Sequence, residues 1–90
     1  MSVGEHVRQI REDAGISLRA LADHAGVSST FLSDFETGKR ECRPHTLAKI
    51  AKGLNTLGVA VTLDELKAIR ARTKLERLRT EVKQLERKIS

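Results

Sequence analysis

Apolar positions recur at intervals of three and four along this chain, the period of helices that bury one face. Val7 and Ile10 mark a first stripe, Leu18, Leu21, Ala22 and Ala25 a second, and Leu32 and Phe35 a third. Leu47, Ile50, Ala51 and Leu54 make a fourth. The residues between stripes are those that end helices. Ser2 with Glu5 forms a capping-box pair opening a helix over about residues 3–13, which Gly15 stops. Ser17 and Ser28 stand where a hydroxyl accepts an orphan backbone N–H. Gly26 stands where a helix end needs a left-handed residue. After the loop of residues 39–43, Pro44 suits a first helical turn, because its missing N–H would have no partner there. Asn55 and Gly58 punctuate the end of that helix, and residues 59–61 read as an extended link.

Thr62 and Glu65 form another capping box, followed by a stretch with no Gly or Pro that predicts a helix to about Ile89. Such a helix is on the order of 40 Å long, more than a four-helix core needs. Leu63, Leu66 and Ile69 are expected on the core. Beyond them Leu75, Leu78, Val82, Leu85 and Ile89 follow the alternating spacing of a coiled-coil seam. A stripe of this kind implies a partner, since alone it would lie in water. With Leu75 at position a, a parallel pair opposes Lys74 with Arg79 and Glu81 with Glu86, both like-charged. An antiparallel pair instead matches Arg79 with Glu86 and Glu81 with Lys88. The pattern favours antiparallel dimerisation, with fold-back or a different partner protein as alternatives. The division expected is a domain over residues 1–66 and a basic amphipathic helix over 67–90.

Charge and composition narrow the functional classes. The net charge is +5, and residues 63–90 carry nine Lys/Arg against five Asp/Glu. That balance favours anionic partners. Phe31 and Phe35 are the only aromatic residues, which argues against base-stacking platforms for single strands. The spacing of His6, His24 and His45, without paired Cys or carboxylates, argues against zinc. With no nucleophile elbow and no glycine-rich phosphate cradle, neither an enzyme nor a cofactor is expected. No apolar run predicts a membrane span or a signal segment, and the lone Cys42 fits a reducing compartment, so a cytoplasmic location is expected. Cys42 itself reads as an incidental thiol in a loop.

The second and third stripes, over residues 17–38, form a helix, a glycine turn and a second helix that presents Ser29, Thr30, Ser33, Asp34 and Thr37 outward. A helix buried on one face with hydrogen-bonding groups on the other suits the edges of bases in a major groove. Thr30 can offer a methyl to thymine or its hydroxyl to either base class, and Asp34 can accept from cytosine. Solvent exposure or a bond to the helix backbone is the plainer role for each hydroxyl. Arg19, in the first turn of the preceding helix, is a candidate phosphate contact, as are the amides of that turn.

From about Val7 to Leu66 the chain resembles the Cro/phage-repressor (XRE-type) helix-turn-helix family. The resemblance rests on Leu21-Ala22, Gly26-Val27-Ser28, Leu32-Ser33, Phe35-Glu36, Gly38-Lys39, Pro44, Leu47, Ile50-Ala51 and Leu54. It implies an all-α, lambda-repressor-like domain of four to five helices, here with an extended C-terminal helix. It also implies base-reading positions at Ser29, Thr30, Ser33 and Asp34, and phosphate contacts at Thr37, Lys39, Arg40 and Arg43. Arg11 and Glu36 occupy positions that form an ion pair in the family, and Phe31 one where the family often has an aromatic, expected here to pack against the domain's edge or a sugar rather than read a base. Leu18 departs from the family, which often has a phosphate-bonding Gln there. The function implied is a homodimeric repressor that binds double-stranded DNA at an inverted repeat. The alternative is an antitoxin-like module whose C-terminal helix grips a partner protein.

Overall fold

The computed structural model describes residues 2–72 and 75. Four helices, α1 (Val3–Asp13), α2 (Leu18–Ala25), α3 (Ser29–Glu36) and α4 (Pro44–Thr56), precede a fifth, α5, over residues 63–72, with Leu75 also helical. No strand occurs among the described residues. The all-α expectation holds.

Each helix starts where local chemistry can satisfy its free amides. The Oγ atoms of Ser2, Ser17 and Ser28 accept from the N–H groups of Glu5, Ala20 and Phe31, at 3.2, 3.1 and 3.0 Å. Pro44 takes the first position of α4, whose cap residue Arg43 makes no side-chain cap bond. Thr62 and Glu65 cap α5 reciprocally, Glu65 N to Thr62 Oγ1 at 3.1 Å and Thr62 N to Glu65 Oε2 at 3.4 Å. The helix-to-helix turn depends on Gly26, which has φ +70°, a region where a side chain would be strained. Val27 N–H then returns to the Ala22 carbonyl at 3.0 Å, closing the end of α2.

The apolar stripes meet in one core. Val7, Leu21, Leu32, Leu47, Ile50, Leu54 and Leu66 are fully buried, with Phe35 among them. Leu63 and Ile69 pack partly against that core, so α5 is docked at least through its first two turns. Two close approaches set the packing. A Cβ at Gly4 of α1 would collide with the Phe35 carbonyl of α3, so only glycine lets these backbones touch. Gly53 of α4 lies against Ala25 of α2, where an added Cβ would meet the Ala25 nitrogen at 3.0 Å. Between α4 and α5, Asn55 Nδ2 donates to the carbonyls of Ala51 (2.8 Å) and Val61 (2.5 Å), which fixes the extended link.

Of the coiled-coil seam, Leu75 is described and is 57% exposed. Leu78, Val82, Leu85 and Ile89 lie outside the described residues, and with them the coiled-coil expectation.

Candidate nucleic-acid interface

The Ser28 cap starts α3, and Leu32 and Phe35 bury its inner face. The remaining residues must then turn away from the core. Ser29 and Thr30, in the first turn, are exposed; Ser33 and Asp34, one turn on, are half-buried. Thr37 at the C-terminus is exposed, but its hydroxyl donates back to the carbonyls of Ser33 (3.0 Å) and Asp34 (3.2 Å). That is a local bond of the kind that competes with outward contacts. The oxygen keeps lone pairs for accepting but has committed its proton.

Glu36 is the buried charge in this region, and its partner comes from α1. Arg11 Nε lies 2.9 Å from Glu36 Oε2, and Arg11 Nη2 lies 2.9 Å from Glu36 Oε1. This is a fork-to-fork arrangement with defined geometry. The side chains are only 11% and 3% exposed. Arg11 Nη1 also donates to the Ile16 carbonyl at 2.8 Å, tying the α1–α2 turn to the same guanidinium. With Gly4 against Phe35, this pair fixes the tilt of α3 on α1. Little of Arg11 is left to meet a phosphate.

The loop of residues 39–43 carries Lys39, Arg40 and Arg43, all exposed. Lys39 N–H and Arg40 N–H both donate to the Asp34 carbonyl, at 2.9 and 3.2 Å, so the loop leaves α3 in a fixed direction. The Arg40 guanidinium lies 5.6 Å from the centroid of the Phe31 ring, a cation–π distance, and Phe31 packs partly against the core. Arg40 is therefore held on the surface of α3. On α2, Arg19 is exposed, and Ser17 satisfies the Ala20 amide, leaving the earlier amides of that turn beyond the reach of any helix carbonyl. Leu18 is half-buried against the core, which accounts for an apolar residue at that position.

Three features of the site escape a reading of the residues alone. Cys42, in the loop, is buried at 6% exposure, and burial pushes its thiol pKa up while the nearby Arg70 charge opposes that shift. Arg70 of α5 donates from Nη1 to the Cys42 carbonyl at 3.0 Å, across 28 positions, with no local signal to announce it. Arg40 over Phe31 is the third. His24 Nδ1 makes a local contact with the Ala20 carbonyl at 2.9 Å, and the described residues contain no group of three metal-ligating side chains.

Known proteins share the sequence that builds this arrangement. The family described as "Helix-turn-helix domain" matches residues 2–66, which holds α1–α4, the turn at Gly26 and the start of α5. The chain belongs to this helix-turn-helix family, of the Cro/phage-repressor type. Two relatives from Mycobacterium tuberculosis are the uncharacterized HTH-type transcriptional regulators MT0491 (strain CDC 1551 / Oshkosh) and Rv0474 (strain ATCC 25618 / H37Rv). Each is 43% identical over 51 residues, 57% of this chain and 36% of the relative. The HTH-type transcriptional repressor RghR of Bacillus subtilis (strain 168) is 39% identical over 54 residues, 59% of this chain and 40% of the relative. The helix-turn-helix chain thus matches well under half the length of these relatives. No solved structure matches it. None of its described helices is long and apolar enough to cross a membrane.

Proposed function

We propose that this helix-turn-helix chain is a non-enzymatic, sequence-specific regulator of transcription that binds double-stranded DNA as a homodimer. The observation that carries the reading is the exposed first turn of α3, Ser29 and Thr30, between exposed cations on neighbouring elements: Arg19 before it, Lys39 and Arg43 after it. Base edges are read by the small polar groups, with Ser33 and Asp34 contributing from the next turn. Phosphates are held by Arg19, Lys39, Arg40 and Arg43 and by the amides of α2, which set position without reading sequence. Thr37 is left out of the phosphate contacts, because its hydroxyl proton is committed to the helix backbone and a phosphate oxygen can only accept. Its regulatory sense is repression by occupying a promoter, in line with the name of the Bacillus relative. A cytoplasmic location, with the chain on the nucleoid when bound, follows from that role.

Dimerisation is assigned to the seam from Leu75 through Leu78, Val82 and Leu85 to Ile89, paired antiparallel. Two copies of α3 then sit about 34 Å apart, on successive turns of the major groove. The test is footprinting on the DNA upstream of the chain's own coding sequence, with the oligomeric state measured alongside. An inverted repeat protected by a dimer is expected, with both dimer and footprint lost in Leu78→Glu or Leu85→Glu. No protection on any duplex contradicts the reading. Leu75, exposed at 57%, is equally open to a different protein, which gives one second reading, an antitoxin-like module that grips a partner through the C-terminal helix. Its mark is a monomer that co-purifies with a protein encoded next to it.

A further inference from the structure

Loop 39–43 holds three cations, and its backbone is fixed at both ends. At the start, two amides converge on the Asp34 carbonyl. At the far end the Cys42 side chain sinks into the core, and the carbonyl of the same residue receives Arg70 Nη1 at 3.0 Å. Arg70 Nη2 also lies 4.0 Å from Glu41 Oε2. The donor sits on a rigid base, because Leu66 of α5 is fully buried and Ile69 packs partly against the core. A flexible loop of cations would lose conformational freedom on meeting a phosphate backbone, whereas a loop already fixed loses less.

We propose that Arg70 is a positioning residue that hands the fixed placement of α5 to the basic loop 39–43 and so presents Lys39 and Arg43 to DNA phosphates. The loop's role rests on the proposed DNA-binding function; the tether does not. Arg70 thereby departs from the simpler role of a cation in the basic tail, since its guanidinium is engaged by Cys42 and Glu41.

The tether and the function are tested separately on the full chain, with Arg70→Met and Arg70→Lys. Met keeps the apolar stem and loses the donors, and Lys keeps one point charge. Circular dichroism and the melting midpoint report folding. The first readout is the rate at which a small disulfide reagent modifies Cys42 at fixed pH. Loss of the Arg70 charge alone would raise the thiol pKa and slow this reaction, so acceleration with an unchanged melting midpoint reports an opened loop. About five- to tenfold faster modification is expected for Met and an intermediate rate for Lys. An unchanged or slower rate in a folded variant overturns the tether. If Arg70→Met does not fold, Arg70→Lys decides in its place: faster modification supports the tether, and an unchanged or slower rate overturns it.

The second readout is affinity for a labelled mixed-sequence duplex of about three helical turns across a salt series. Arg70→Met is expected to bind roughly fivefold more weakly with an unaltered salt slope, and to add little to Arg43→Gln. A slope reduced by about one makes Arg70 itself a phosphate contact and overturns the positioning role. A loosened loop with unaltered affinity overturns the loop's part in binding. A wild-type chain that binds no duplex overturns the functional reading, while the thiol rate still decides the tether.

Discussion

Two arginines hold the C-terminal end of the reading helix and the loop that follows it, and they do so by different chemistry. Arg11 reaches the end of α3 from α1 and meets the carboxylate of Glu36 with both partners shielded from water, at 11% and 3% side-chain exposure. Arg70 reaches the loop beyond α3 from α5 and meets a neutral carbonyl, with 41% of its side chain exposed. The first contact cannot be half-made, because losing it strands a buried charge. The second can open and close at modest cost, because water readily replaces one hydrogen bond to a carbonyl. The tilt of the reading helix is thus built into the fold, while the adjoining loop is held where a milder force can adjust it.

Removing the buried contact is expected to have the largest effect. Arg11→Met leaves Glu36 charged and enclosed, and should destabilise the domain by about 3–5 kcal/mol in denaturant unfolding. Arg11→Met combined with Glu36→Leu should recover much of that loss, since no charge is then stranded. A double variant as unstable as the single one would move the cost from the ion pair to packing. Arg70→Met, by contrast, should hardly change the unfolding midpoint while speeding thiol modification at Cys42.

A smaller effect sharpens the view of the loop end. Burial pushes the Cys42 thiol above the ordinary thiol range. The native chain therefore keeps this proton at pH values where the unfolded chain has released it. Stability from this group is complete below the ordinary thiol range and falls as pH rises through it. Thermal midpoints at about pH 7 and about pH 10 should show a smaller alkaline decrease in Cys42→Ala than in the wild type. Equal decreases would mean that the thiol opens to water without unfolding.

The elements of the fold were legible in the residues because their signals are local. The hydroxyls of Ser17 and Ser28 cap amides three positions on, Gly26 supplies its own left-handed turn, and Thr62 answers Glu65 three residues later. A stripe of apolar residues at helical spacing needs no distant information either. The Arg11–Glu36 contact spans 25 positions and entered through family resemblance, because spacing alone cannot pair them. The Arg70–Cys42 contact spans 28 positions and has no such guide. Cys42 is the free thiol in a loop that the residues suggest, but loop membership gave no sign of its burial. Its surroundings read as polar along the chain, but the loop folds its thiol back into the core, and only the packed structure places it there. Arg40 over Phe31 escaped for a related reason, since the two lie on different elements, a loop and a helix.

Whether the outer face of α3 distinguishes one DNA sequence from another is decided by one binding measurement. The wild-type chain, Thr30→Ala and Asp34→Ala are titrated against a duplex selected by the wild type and against a scrambled duplex of equal length. Both variants should lose affinity for the selected duplex by roughly five- to a hundredfold, about 1–3 kcal/mol, and bind the scrambled one as the wild type does. Equal loss on both duplexes, or no loss on either, would contradict a reading role for this face.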